Sequence, residues 1–206
     1  MEPELVTTVE VFADITCPFT HVGLRRLTAE LGDEVLIRVR AWPLEWVNGE
    51  PMAVDGVVIK AAALRDQLGV DAFEGLRPDR WPSSTIPALN LTAAAYGRDA
   101  VVGLAVSLAV RDALFEHGLD VADADVLAEI AAEHDLPTPG TEPHSSVLRD
   151  YEDGQRRGVR GSPDFFVQGQ EFFCPSLDLG HDDAGGLVAR FDTAGLDRFM
   201  SAIRTV

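Results

Sequence analysis

The sequence predicts an α/β fold: a mixed β-sheet with an all-helical domain inserted into it. Three observations carry that prediction. An apolar strand, a Cys-Pro step, a helix-like run and a second strand succeed one another between Val6 and Trp42. The stretch 57–136 then shows helical periodicity and no strand pattern. A short hairpin pattern at 165–174 and an amphipathic run at 193–203 close the chain.

Val6 to Ala13 is rich in β-branched residues and reads as the first strand. The helix after Cys17 extends to about Leu31 and stops near Gly32-Asp33. From Val35 to Trp42, Val35, Ile37, Val39 and Ala41 alternate with residues that include Arg38 and Arg40, which gives a strand with one wetter face; Pro43 ends it. A β-α-β unit of this kind is right-handed, with parallel strands. Val57 to Leu68 is apolar at helical spacing, whereas Arg77 to Pro87 carries three prolines and is expected to be loop. Asn90 to Tyr96 is helical. Ala100 to Glu116 reads as an amphipathic helix burying Val101, Leu104, Ala105, Leu108 and Phe115, with Gly118 just beyond. Asp123 to His134 forms another helix after an acidic start signal, closed by Pro137 and Pro139. Ser145 to Arg157 is expected as a helix capped by Ser145 or Ser146. Phe165 to Val167, the turn Gln168-Gly169-Gln170 and Phe172 to Cys174 make an antiparallel hairpin, so the sheet is mixed. Thr193 to Ile203 is the last helix. The expected domains are residues 1–55 with 144–206, and an inserted helical domain over 56–143.

With 206 residues, 46% of them apolar, the chain can bury a substantial core. It has no uncharged apolar run near the roughly 18 residues of a membrane span, so no membrane contact is expected. Its start, Met1-Glu2-Pro3-Glu4, lacks the basic and apolar regions of a signal peptide, and its cysteines are only two, so a cytoplasmic location is expected. A net charge of −17 argues against nucleic acid as a partner. It suits solubility, or a preference for neutral or basic substrates. The five histidines and two cysteines show no metal-ligand spacing, and His181-Asp182-Asp183 reads as a solvated loop, so no metal is expected.

The chemistry concentrates at Asp14-Ile15-Thr16-Cys17-Pro18-Phe19-Thr20. Proline suits the first helical position because its missing N–H would be unpaired there anyway. Cys17 then falls at the N-cap, where free N–H groups and the helix dipole favour negative charge. A thiol held there is expected to ionise readily, and the thiolate is the nucleophile; the plain alternative is a small buried hydrophobe. Thr20 lies three residues on, and its hydroxyl can donate toward a thiolate. Phe19 is expected to be exposed, either touching substrate or packing on a loop. His21 either tunes the thiolate or sits on the surface of the first turn. Asp14 either opposes the thiolate or orders the loop.

Cys17-Pro18-Phe19-Thr20 resembles the Cys-Pro-x-Cys active site of the DsbA family of thioredoxin-fold proteins, with threonine in place of the second cysteine. Gly158-Val159-Arg160-Gly161-Ser162-Pro163, running into Asp164-Phe165-Phe166-Val167, resembles that family's segment ending in a cis-proline before a buried strand. The order of elements agrees over nearly the whole chain, and the FrnE-like cytoplasmic branch is the nearest likeness. The resemblance implies a thioredoxin-like fold with a helical insertion, and thiol–disulfide oxidoreductase chemistry at a single cysteine, through a mixed disulfide. It implies catalytic roles for Cys17, Thr20 and Pro163, with Pro18, Phe19, His21 and Ser162 facing a disulfide- or thiol-containing substrate, protein or small molecule. No tightly bound cofactor is implied; a low-molecular-weight thiol is the candidate co-reactant.

Cys174 is a candidate second redox cysteine. A two-residue turn, Gln168-Gly169, would set Val167 opposite Gln170 and Cys174 level with Pro163. In the thioredoxin fold the cis-proline strand lies between the other two, which separates Cys17 from Cys174 by two strand spacings, roughly 10 Å. A disulfide needs Cα atoms within about 7 Å, so a direct bond would require movement. Two other readings stand beside exchange. Loss of the second cysteine resembles kappa glutathione transferases and 2-hydroxychromene-2-carboxylate isomerases, which use bound glutathione. A non-catalytic binding protein on the same fold is the third. Oligomeric state is not fixed by the sequence.

Overall fold

A computed structural model describes residues 7–32 and 35–204. The expectations for residues 1–4, Val6 and Asp33 lie outside the described residues. Strands β1 (Thr7–Ala13) and β2 (Val35–Ala41) pair in parallel, joined by helix α1 (Pro18–Leu31). Strand β3 (Asp164–Val167) runs antiparallel to β1, and β4 (Gln170–Phe173) antiparallel to β3, in the order β2-β1-β3-β4. Between β2 and β3 lie α2 (Leu44–Asn48), α3 (Val54–Leu68), a short 3-10 turn at Pro78–Arg80, α4 (Ile86–Arg98), α5 (Ala100–Phe115), α6 (Ala124–Glu133) and α7 (Ser145–Arg157). Strands β5 (Leu177–His181) and β6 (Leu187–Phe191) form a separate hairpin, and α8 (Thr193–Arg204) ends the described chain.

Alternation along β1 sorts its side chains. Val9, Val11 and Ala13 join Leu24 and Leu27 of α1, Phe165 of β3 and Phe199 of α8 in one core. Phe12 turns to the opposite face, where it meets Trp42 and Phe166 beneath Tyr151 of α7. The helices share a second, larger core that also takes in Ile15 and Val22. Helix α1 therefore lies between the two cores, with Phe19 and Val22 on the helical side and Leu24 and Leu27 on the sheet side.

Several expectations are corrected. Helix α3 begins at Val54, ahead of Val57. Pro87 belongs to the first turn of α4, where proline costs no hydrogen bond, rather than to the loop before it. Helix α7 is capped by His144, whose ring accepts from the Ser146 N–H, and not by a serine. On α5 the expected apolar face is buried only in part: Phe115 is buried, but Val101 is 68% exposed, and Gly103, Val106, Ser107, Val110, Arg111 and Leu114 are buried as well. The helix packs on the sheet core through Leu104 and Leu108 and on the helical core through Val106 and Val110, so it buries more than one stripe. The segment around His181, expected as loop, belongs to the β5–β6 hairpin. Its strands are short, their apolar alternation is broken by Gly180, and they are held from outside by Gln67 of α3, which bonds Leu187 O and Ala189 N–H.

Candidate active site

Cys17 occupies the N-cap of α1, with extended backbone angles (φ −80°, ψ 113°) and Pro18 next in line. Its sulfur makes no capping bond to the helix. Instead the Cys17 thiol donates to the Ser162 carbonyl at 2.9 Å, and the Ser162–Pro163 peptide bond is cis. Cys17 is 3% exposed.

The Thr20 hydroxyl does not reach for the sulfur. It is fully buried and lies 2.8 Å from Ser162 Oγ, which also accepts the Asp14 N–H at 2.9 Å. Ser162 thus joins the strand end, the helix start and the cis-proline loop. The Asp14 carboxylate orders the loop: Oδ1 accepts from the N–H and hydroxyl of Thr16, and Oδ2 from Leu44 N–H and Thr85 Oγ1. One buried side chain so ties the cysteine loop to the starts of α2 and α4.

His21 is corrected from a surface or substrate-facing position to a buried one, 1% exposed. Its ring lies against Phe73 and Phe115, and its Nε2 donates to Glu116 Oε1, which also accepts the Phe73 N–H. Burial holds the imidazole below its ordinary pKa of 6.5, against the pull of Glu116. Burial alone would raise the Glu116 carboxyl, but the bonds from His21 and Phe73 hold it below its usual range. Phe19 is half-buried and packs on the helical core; Pro18 is buried.

Val167 pairs with Gln170 through a two-residue turn, and the Cys174 N–H donates to Pro163 O at 3.3 Å. Both cysteines are free thiols. Cys174 is 5% exposed, has left-handed φ (+46°), and lines a surface cavity of about 480 Å³ with Phe172, Phe173, Pro175 and Leu177; Cys17 does not line it. Burial first, then the charges of Cys17 and Asp164, push the Cys174 thiol far up. Among the described residues no cluster suits a metal ion.

Two buried groups, Arg111 and Asp164, and the half-buried Glu116 were not expected from the sequence. Arg111, fully buried, bonds the Asp14 carbonyl. Asp164, beside Pro163, has one carboxylate oxygen bonded to the Arg160 N–H and the other without a partner; burial, with Glu171 nearby, pushes it up to about 6. Glu116 holds His21. The available signals were a charge amid an apolar helix and a carboxylate opening an apolar strand.

A family profile of the DSBA-like thioredoxin domain matches residues 8–183, from β1 to the turn after β5. The chain belongs to the DSBA-like thioredoxin domain family. Solved structures of the same fold include the cytosolic disulfide reductase DsbM from Pseudomonas aeruginosa, 16% identical over 97% of this chain and 100% of that one, with a TM-score of 0.63. DsbM with GSH matches at 15% identity over 80% and 87% of the two chains, TM-score 0.55. A probable DsbA oxidoreductase from Streptomyces coelicolor matches at 19% over 80% and 82%, TM-score 0.59. A 2-hydroxychromene-2-carboxylate isomerase matches at 15% over 81% and 88%, TM-score 0.61. No curated protein matches the sequence. In this DSBA-like chain no helix among the described residues is long and apolar enough to cross a membrane.

Proposed function

We propose that this protein is a thiol–disulfide oxidoreductase that works through Cys17 alone. The observation that carries the reading is the arrangement around the sulfur. Cys17 caps α1 beside a cis-proline, and one turn along the helix the group facing Ser162 is a hydroxyl, not a second thiol. Membership of the DSBA-like family and the fold shared with DsbM support it.

In this reading the Cys17 thiolate attacks one sulfur of a substrate disulfide. A Cys17–substrate disulfide forms as the substrate S–S bond breaks, and the departing thiolate takes a proton from solvent. A low-molecular-weight thiolate then attacks the substrate sulfur, which frees Cys17 and leaves the substrate in disulfide linkage with the small thiol. Electrons flow from the small thiol to the substrate disulfide. Cys174 is unsuited to resolve the intermediate, because burial first, and then the neighbouring Asp164 carboxylate, favour its protonated thiol. The backbone around Ser162 and Pro163 would hold an extended substrate, and the helical insertion over 56–143 would shape its surroundings. A cytoplasmic location, where small thiols are reduced, fits two free cysteines.

The Thr20 hydroxyl favours a second reading, a thiol-dependent isomerase or transferase in which the small thiol binds without bonding to Cys17. Glutathione-driven reduction of 2-hydroxyethyl disulfide separates the two. Exchange predicts catalysis by wild type and its loss in Cys17→Ser; turnover that survives Cys17→Ser would overturn the reading.

A further inference from the structure

We propose that Arg111 is a positioning residue for the Cys17 site: its buried cation anchors the loop before the cysteine and offsets the Asp14 carboxylate, so that a thiolate forms at Cys17. The inference rests on the thiol chemistry proposed for Cys17 and assigns the residue that enables it.

Arg111 is 0% exposed, the largest side chain buried to that degree. One terminal nitrogen donates to Ser107 O at 2.7 Å and Ser107 Oγ at 2.6 Å; the other donates to the Asp14 carbonyl at 3.1 Å. Its Nε is buried without a partner, and among the described residues no carboxylate forms an ion pair with it. A buried ion without a partner costs several kcal/mol in typical cases. Burial lowers the guanidinium pKa to about 10, which still leaves a cation at neutral pH.

Four acidic groups face that cation: Asp14, Tyr96, Cys17 and Asp112. Tyr96 is neutral, because burial pushes its phenol up to about 12. Asp112 is paired at the surface with Arg25. The Asp14 carboxylate and the Cys17 sulfur remain, three residues apart on one loop. A carboxylate close to a thiolate repels it. A Coulomb interaction is mutual, so negative charge that forms on the Cys17 sulfur is favoured by the Arg111 cation as it favours that cation. The geometry adds a mechanical role, since the bond to Asp14 O fixes the strand end from which Cys17 departs.

Alkylation of Cys17 by neutral iodoacetamide and anionic iodoacetate tests this without any disulfide. Arg111→Gln keeps hydrogen-bonding capacity and loses the charge; Arg111→Lys keeps the charge. For Arg111→Gln the expected result is a fall of about tenfold with iodoacetamide and a larger fall with iodoacetate, with Arg111→Lys close to wild type in the ratio of the two rates. A folded Arg111→Gln with unchanged rates, or with equal losses for both reagents that lysine does not relieve, overturns the proposal. If Arg111→Gln does not fold, Arg111→Lys still decides: a lowered iodoacetate-to-iodoacetamide ratio despite the retained cation overturns it. Wild type that alkylates as expected yet fails to exchange disulfides would instead count against the proposed function.

Discussion

At Thr20 the helix start carries a hydroxyl and a methyl group where a dithiol site would carry a second thiol. Its hydroxyl spends its hydrogen bond on Ser162 and leaves the Cys17 thiol to the Ser162 carbonyl. Thr20→Cys is expected to form an internal disulfide between Cys17 and the introduced thiol under oxidising conditions. Mass spectrometry would read it as the loss of two hydrogens, and assays as new dithiol reductase activity. A variant that stays a dithiol would show that the helix start does not have the required geometry. Two buried titratable groups give opposite pH signatures. His21 binds protons less readily folded than unfolded, so its contribution is full above about pH 6.5 and fades as pH falls toward its lower folded value. His21→Asn is therefore expected to lose less stability, relative to wild type, at about pH 5 than at about pH 8. Asp164 is raised from 3.8 to about 6, so its favourable contribution is present below 3.8 and disappears as pH rises through about 6. Asp164→Asn is expected to gain on wild type as pH climbs through that range. Thermal unfolding of both variants across pH checks the two signs.

Helix α5 shows what an apolar pattern hides. The sequence pattern selects Val101, Leu104, Ala105, Leu108 and Phe115, because a helix is expected to bury its large apolar residues. The buried face instead runs through Gly103, Ser107 and Arg111 as well as Val106 and Val110. Gly103 is there because α4 comes too close for a side chain: a Cβ at that position would lie 2.2 Å from the Tyr96 ring. Gly103→Ala is expected to destabilise the protein by about 1–3 kcal/mol through overpacking, measured by urea unfolding; an unchanged midpoint would mean that α4 and α5 are less tightly seated. The strands of the four-stranded sheet were legible because their signals are local: alternation in β2, β-branched density in β1, and a Gln168-Gly169 turn that fixed the level of Cys174 against Pro163. The β5–β6 hairpin was not, since what holds it is Gln67, more than a hundred residues away in sequence.

Over the whole molecule, two side chains of the cysteine region tether it to the helices, beside the bond from Arg111 to the Asp14 carbonyl. Asp14 bonds Leu44 and Thr85, and His21 bonds Glu116. Neither tether has a local signature, because each joins residues far apart in sequence through a single buried side chain. The cysteine at the start of α1 and the cis-proline loop could be read from short motifs, whereas the buried Arg111 and Ser107 and the half-buried Glu116 around them could not. In the proposed exchange one sulfur, that of Cys17, suffices. Wild type and Cys174→Ala are incubated with glutathione disulfide and analysed by intact mass and peptide mapping. The expected result is a single glutathione adduct on Cys17 in both proteins, removed by excess small thiol. A Cys17–Cys174 linked peptide in wild type, or an adduct that remains in Cys17→Ser, would contradict it.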